Sequence, residues 1–285
     1  MALMNLILLR KIVRGFNMKM NDFLAQHAIF ALNELDRFLA NTGSGNTNTR
    51  KALLAYYRKR GRIIHVRRGL YAIVPPGSSA DSYPVDPFLL ASRMAEDAVL
   101  AYHTALEFYG KAYSVHSRFY YLSQHKSIQL KFRGYEFMRV SVPQSLSSKG
   151  KEMFGVKHFN RAGVELKVTD LERTLVDVMD RPDLSGGWEE IWRSLESVEF
   201  FDLEKVLEYV RILDNATTAA KVGFFLDRHK ESLMVGDENI EPLKKLRPRQ
   251  AHYMMRGRRK GCRLVKEWNL MAPEEILNRT WEEVI

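Results

Sequence analysis

At 285 residues with 46% apolar side chains, the chain is long enough for two domains, each with its own core. A formal net charge of +10 favours an anionic partner: nucleic acid, an acidic protein or an anionic membrane surface. The single cysteine, Cys262, excludes an internal disulfide and has no neighbours at metal-ligand spacing, which points away from a zinc module and towards a reducing compartment, most simply the cytoplasm.

The apolar start, Met1 to Leu9, is too short to span a bilayer and lacks the flanks of a signal peptide, so it reads as an ordinary N-terminal segment. Met18 or Met20 can serve as the start, which would leave residues 1–17 weakly ordered. From Asn21 to Ala40 the apolar spacing predicts two short helices interrupted by a strand-like run at Ala28 to Ala31. The turn-rich NTGSGNTN from Asn41 follows, and Asn46 or Thr47 can cap a helix running to Arg60 and stopped by Gly61. IIHVRRGLYAIV, Ile63 to Val74, reads as a hairpin turning at Arg68-Gly69. Three helices and a hairpin in this order predict a winged helix-turn-helix over residues 18–76.

Residues 77–87 carry turn-formers and prolines and read as a linker. Beyond it, residues 88–110 read as helices, and SRFYYLS, SIQLKFRGYEFMRVSV and GVKHFNRAGVELKV read as strands. Helices are predicted from the Thr169 or Asp170 cap to Met179, from Gly187 to Ser197, from Asp202 to Leu213 and from Asn215 to Leu233, with strands near Tyr253 and from Arg263 to Trp268. The fold class is therefore α+β: a winged helix followed by a larger α+β domain, residues 88–285, with a mixed or antiparallel sheet and flanking helices.

Between Arg50 and Arg68 there are eight Lys or Arg and no acid. On the helix, Leu53, Leu54 and Tyr57 share an inward side, while Asn48, Lys51, Ala52, Ala55, Tyr56 and Lys59 face outward. Small residues on that face let the helix sit deep in a major groove, where Asn48 can pair with adenine and Lys51 and Lys59 can meet guanine or phosphate. Thr49 and Arg50 lie at the helix N-terminus, the end that meets base edges and phosphates. In the wing, Arg62, His65, Arg67 and Arg68 are expected to follow the backbone or enter the minor groove. Double-stranded DNA is thus the expected partner, and losing Lys51 or Arg67 is expected to weaken binding. A solvated basic helix and hairpin is the plainer alternative.

A second basic run, Lys244 to Lys266, holds ten Lys or Arg and no acid. Within it, Arg256, Arg258, Arg259, Lys260 and Arg263 could extend a DNA footprint, contact RNA, dock an acidic protein, or form a solvated loop.

Four segments, RKRGRIIHVRRGLYAIVP, AYHTALEFYG, VTDLERTLVDVMDRPDLSGGWEEIWRSL and ATTAAKVGFFLDRH, spread from Arg58 to His229, resemble the AbiEi family of antitoxins and transcriptional regulators. The resemblance implies a winged helix that represses its own operon by binding promoter DNA. It also implies a C-terminal domain that counters a nucleotidyltransferase-like toxin in a type IV, phage-defence system, without a stable complex being required. It implies no catalytic residue, metal or cofactor. Asp170, Glu172, Arg173, Asp177 and Asp180 in the third segment are its candidate antitoxin residues, although Asp170 is most simply an N-cap and Arg173 with Asp177 a local ion pair, so a structural role is favoured for them. Deleting residues 1–80 is then expected to abolish DNA binding and preserve rescue. A monomer that assembles on repeated DNA sites is compatible with this reading.

Two rivals remain. Glu165 and Lys167 form an acid-x-Lys element of the kind used by metal-dependent nucleases, though none of the upstream aspartates stands out as its metal-binding partner. A winged-helix regulator that senses a small ligand should present an apolar pocket in its second domain. His103, alone among apolar neighbours, reads as a hydrogen-bonded core residue. No phosphate-binding glycine loop or nucleophile elbow is present.

Overall fold

The computed structural model describes residues 20–282 except Ser44, Ser127, Ile128 and Arg256. The start-site reading at residues 1–18 and Arg256 of the basic run lie outside the described residues.

Helix α1 (20–26), strand β1 (Ile29–Ala31), helices α2 (Leu32–Asn41) and α3 (Thr47–Lys59), and the hairpin β2 (Ile63–Arg67) and β3 (Leu70–Ile73) form the first unit. The apolar run after α1 becomes a strand because its backbone pairs antiparallel with β3, Ile29 opposite Ala72. The sheet order is therefore β1-β3-β2. Helix α3 starts where the Asn46 side chain accepts the Thr49 amide at 2.7 Å. One face of this unit buries Met20, Phe23 and Leu24 against Leu35, Leu39 and Tyr57.

The rear of the small sheet is buried as well. Ile29, Val66, Leu70 and Ala72 enter the same apolar cluster as Leu89, Leu100, Phe119, Tyr121, Phe137 and Leu166. The 77–87 stretch is not slack between them. Arg133 donates to the carbonyl oxygens of Ala80 and Tyr83, and Asp86 pairs with Arg161 at 2.6 Å while accepting the Phe88 amide at 2.9 Å. Proline and serine signalled turns correctly there, but turn chemistry carries no information about how firmly a segment is tied down.

After α4 (Pro87–Ser92) come β4 (Val99–Leu100), α5 (His103–Phe108), β5 (Arg118–Leu122), β6 (Leu130–Phe132), β7 (Tyr135–Val140), α6 (Gln144–Ser147), β8 (Val156–Arg161) and β9 (Val164–Thr169). Their six strands form a mixed sheet in the order β6-β7-β5-β4-β9-β8, with β5/β7 and β4/β9 parallel. The all-helical expectation for residues 88–110 missed β4. This strand has two residues, too few to show alternation, yet it occupies the sheet centre.

A helical layer follows: α7 (Leu171–Asp180), α8 (Trp188–Glu196), α9 (Leu203–Leu213), α10 (Ala216–Arg228) and α11 (Asp237–Leu246). Helix α10 ends five residues before the expected Leu233, and α11 was not expected because Pro242 lies inside it. The chain closes with β10 (His252–Tyr253), β11 (Cys262–Val265), β12 (Leu270–Pro273) and α12 (Glu274–Asn278). Trp192, Phe225 and Trp268 are buried in the core of this region. Gly223 on α10 faces the Trp268 ring so closely that a Cβ there would lie 2.1 Å from its Cζ3. The whole is an α+β fold.

Candidate nucleic-acid interface

The α3 face forms as its spacing requires. Tyr57 is buried and Leu53 and Leu54 are partly covered, whereas Asn48, Lys51, Ala52, Ala55, Tyr56 and Lys59 are exposed. Asn48, Lys51 and Lys59 make no hydrogen bond or ion pair with the described residues. Tyr56 carries the Arg60 guanidinium over its ring at 4.6 Å, leaving a flat cationic stack at the C-terminal end of the face. Burial, with Tyr56 next in weight, pushes the Tyr57 hydroxyl above its usual range, so it stays neutral beneath these cations.

Three of the expected contact residues are already engaged inside the protein. Arg50 forms a two-pronged bond to Asp36 on α2 at 2.7 and 2.9 Å, because the first turn of α3 packs beside that helix. Arg62 donates from Nε to the Val74 carbonyl at 3.3 Å and closes the base of the hairpin. Arg67 reaches away from the wing tip and donates from Nη2 to the carbonyl oxygens of Arg93 and Met94, at 3.1 and 2.9 Å. A bulge between His65 and Arg67 shifts the alternation there, which period-two reasoning did not foresee. His65 and Arg68 are exposed, Thr49 is partly covered, and His65 lies 5.3 Å from the Tyr71 ring.

On α7 the N-cap and the local ion pair read from the sequence both form, and the other candidate residues are engaged inside the protein as well. Asp170 caps the helix by accepting the Arg173 amide at 2.9 Å and pairs with Lys205 of α9. Arg173 is fully buried: Nε meets Asp177 at 3.3 Å, and Nη1 donates to the carbonyls of Glu152 and Phe154, both at 2.7 Å. Asp177 also accepts the Tyr209 hydroxyl at 2.6 Å, and Asp180 accepts from Asn215 and Thr218. Burial pushes the Asp177 carboxyl up to about 6 against the pull of Arg173 and Tyr209. Glu172 accepts the Asp202 amide at 3.3 Å. These residues knit α7 to α9 and α10. Asp170, Arg173 and Asp177 cannot meet a partner at the surface as they stand.

In the second basic run, Arg258 grips Glu275 with bonds of 2.6 and 2.8 Å, and Arg263 lies 3.7 Å from Glu274, so part of its charge is matched locally. Arg259 sits over Tyr253 at 6.0 Å, and Lys260 is exposed. Glu165 and Lys167 share one face of β9, but Glu165 bonds across the strands to His158 at 2.5 Å, and this interaction lowers its carboxyl pKa.

His103 is buried and hydrogen-bonded, at 3.1 Å from Glu190. Its partners Ser114, His116 and Glu190 escaped sequence reasoning because they lie on other elements, Glu190 being 87 positions away. Separately, a cleft of about 830 Å³ opens between α8, α10 and the closing strands, lined by Trp188, Trp281, Met254, Met255 and Lys221.

No family model and no curated protein matches the chain. Among solved structures, it is similar to the crystal structure of the RV2827C protein from Mycobacterium tuberculosis. The TM-score is 0.62 and the identity 18%, covering 94% of this chain and 95% of that one. The likeness establishes a shared fold along nearly the full length.

Proposed function

We propose that the protein is a DNA-binding repressor and antitoxin of the AbiEi type, acting in the cytoplasm, with α3 as its reading helix. The observation that carries the DNA half is the exposed, unpaired set Asn48, Lys51 and Lys59 around Ala52 and Ala55. A face with this relief admits a groove floor, and its cations have nothing within the described residues to neutralise. No described helix is long and apolar enough to cross a membrane.

The antitoxin half draws its support from the resemblance of segments on α5, α7, α8 and α10, and it assigns this domain no reaction. The test pairs two assays: binding to the promoter DNA upstream of the gene, and growth rescue when the adjacent gene product is coexpressed. Failure of wild-type protein to bind its promoter sinks the first half. Failure to relieve toxicity sinks the second.

A second reading has its own support. The cleft around Trp188 and Trp281 is large enough for a small effector, as a ligand-sensing winged-helix regulator requires. Promoter affinity that changes with a metabolite, in a protein that gives no rescue, would favour it.

A further inference from the structure

Three segments converge beneath the surface: His103 at the start of α5, Ser114 and His116 in the stretch before β5, and, from 87 positions beyond His103, Glu190 in α8. One ligand atom from each of His103, His116 and Glu190 lies within 4.8 Å of the other two, and this is the one such three-residue group among the described residues. Glu190 Oε1 is 3.1 Å from His103 Nε2, while Ser114 Oγ is 2.6 Å from Glu190 Oε2 and 3.1 Å from His116 Nε2.

We propose that His103, His116 and Glu190 bind one divalent transition-metal ion of the zinc class, with Ser114 Oγ or a water completing four-coordination. Two imidazoles and a carboxylate suit a borderline cation and are a poor set for calcium or magnesium, which take all-oxygen shells. Bonds of about 2.0–2.1 Å at tetrahedral angles put neighbouring donors about 3.3 Å apart, close to the separations already present. Closing the widest gap takes a movement of about 1.5 Å.

The surroundings supply a second argument. His103 Nδ1 and Glu107 Oε2 are buried, have no hydrogen-bond partner, and face each other at 3.9 Å. A histidine that gives Nε2 to a metal carries its proton on Nδ1, and a carboxylate is the common acceptor for that proton. Metal binding would therefore match both orphan atoms at once. With the proton on Nε2, directed at Glu190, Nδ1 is left bare towards a carboxylate. Glu107 is itself positioned by accepting the His116 amide at 2.7 Å, and Glu190 is held by the Ser114 amide at 3.0 Å.

The backbone is constrained around the same point. Tyr102, immediately before His103, adopts φ +58, a conformation that costs energy outside glycine. Gly186 has φ +78, and a Cβ there would come within 2.8 Å of both His116 Cε1 and Glu190 Cγ. One rearrangement is required: the imidazoles of His103 and His116 stack at 3.7 Å and 6°, whereas two rings sharing a metal must tilt apart. His116 is the part-exposed member, on a stretch outside helix and strand, and it is the ring that would pivot.

The test begins with chelator-stripped full-length protein, reloaded with Zn2+ or Co2+ and passed through gel filtration. Wild type should retain one ion per chain by elemental analysis, and the cobalt form should show the intense visible bands of four-coordination. His116→Ala and Glu190→Gln should lose that ion and those bands, whereas His125→Ala, which alters a histidine outside the cluster, should keep both. Zinc should raise the melting temperature of wild type and leave His116→Ala unmoved. Should His116→Ala fail to fold, Glu190→Gln decides alone, since its amide keeps the side-chain shape. No retained metal in wild type, or equal content in wild type and either cluster variant, overturns the proposal.

Discussion

Arg67 of the wing donates its Nη2 hydrogen to the Met94 carbonyl at 2.9 Å, binding the hairpin to the larger domain. Its role is therefore internal, and it separates from that of Lys51 on the exposed face of α3. Lys51→Ala should weaken promoter binding and lower the slope of log affinity against log salt by about 0.9 for one lost phosphate contact. Arg67→Ala should leave that slope unchanged and cost about 1.5–3 kcal/mol of stability, the scale for hydrogen bonds to a charged group. Parallel salt titrations and denaturant melts of the two variants check both halves.

Removing residues 1–80 takes Ile29, Val66, Leu70 and Ala72 away from a cluster completed by Leu89, Leu100, Phe119 and Leu166. The truncated protein should bind a hydrophobic dye and self-associate in gel filtration. A monodisperse fragment with wild-type melting would contradict this, and it would restore the expectation that the larger domain can be tested for rescue by itself.

Gly223→Ala introduces a methyl into the Trp268 ring, against a side chain that also donates to Asp227 at 3.2 Å. Overpacking of this kind costs about 1–3 kcal/mol. The expected result is a lower denaturation midpoint with an unchanged m-value, read from urea unfolding.

Breaking the buried pair by Asp177→Ala leaves Arg173 charged in the core and should cost about 3–5 kcal/mol. Replacing Arg173 and Asp177 together by Met and Leu should cost less than the single change. A double-mutant cycle by denaturant unfolding measures the difference.

Burial, reinforced by the charge of Glu190, pushes Glu107 from 4.5 up to about 7, although the His116 amide pulls it down. The folded state therefore binds more protons than the unfolded one between those values, and stability falls as pH rises through that window. Glu107→Gln should remove this loss. Unfolding midpoints in chelator at pH 5 and pH 8 should diverge more for wild type than for the variant, and equal divergence would refute the assignment.

The sequence made the local structure legible wherever one element carried its own signal. The Asn46 cap, the alternation in β9 and the α3 face each rest on residues within a few positions of one another. Arg67 and Arg173 were legible as charges but not as anchors, because their partners are carbonyl groups supplied by elements that only the fold brings near. Strand β4 could not be seen because two residues have no period. Glu190 and His116 could not be paired with His103 because nothing local links a loop, a helix start and a distant helix. Where prolines and serines suggested a tether between domains, the apolar residues on the rear of β3 held the contrary information, readable only once the second sheet was present.

The buried seam behind the wing fixes more than stability. Because Ile29, Val66, Leu70 and Ala72 pack into the cluster that backs the six-stranded sheet, a copy seated in a major groove would project its larger domain at one set angle around the duplex. Two such copies on sites a whole turn apart, about 10 base pairs, would stand on the same side of the DNA. Inserting half a turn between the sites would turn them to opposite sides, so joint occupancy of a repeated operator should follow helical phase as well as distance.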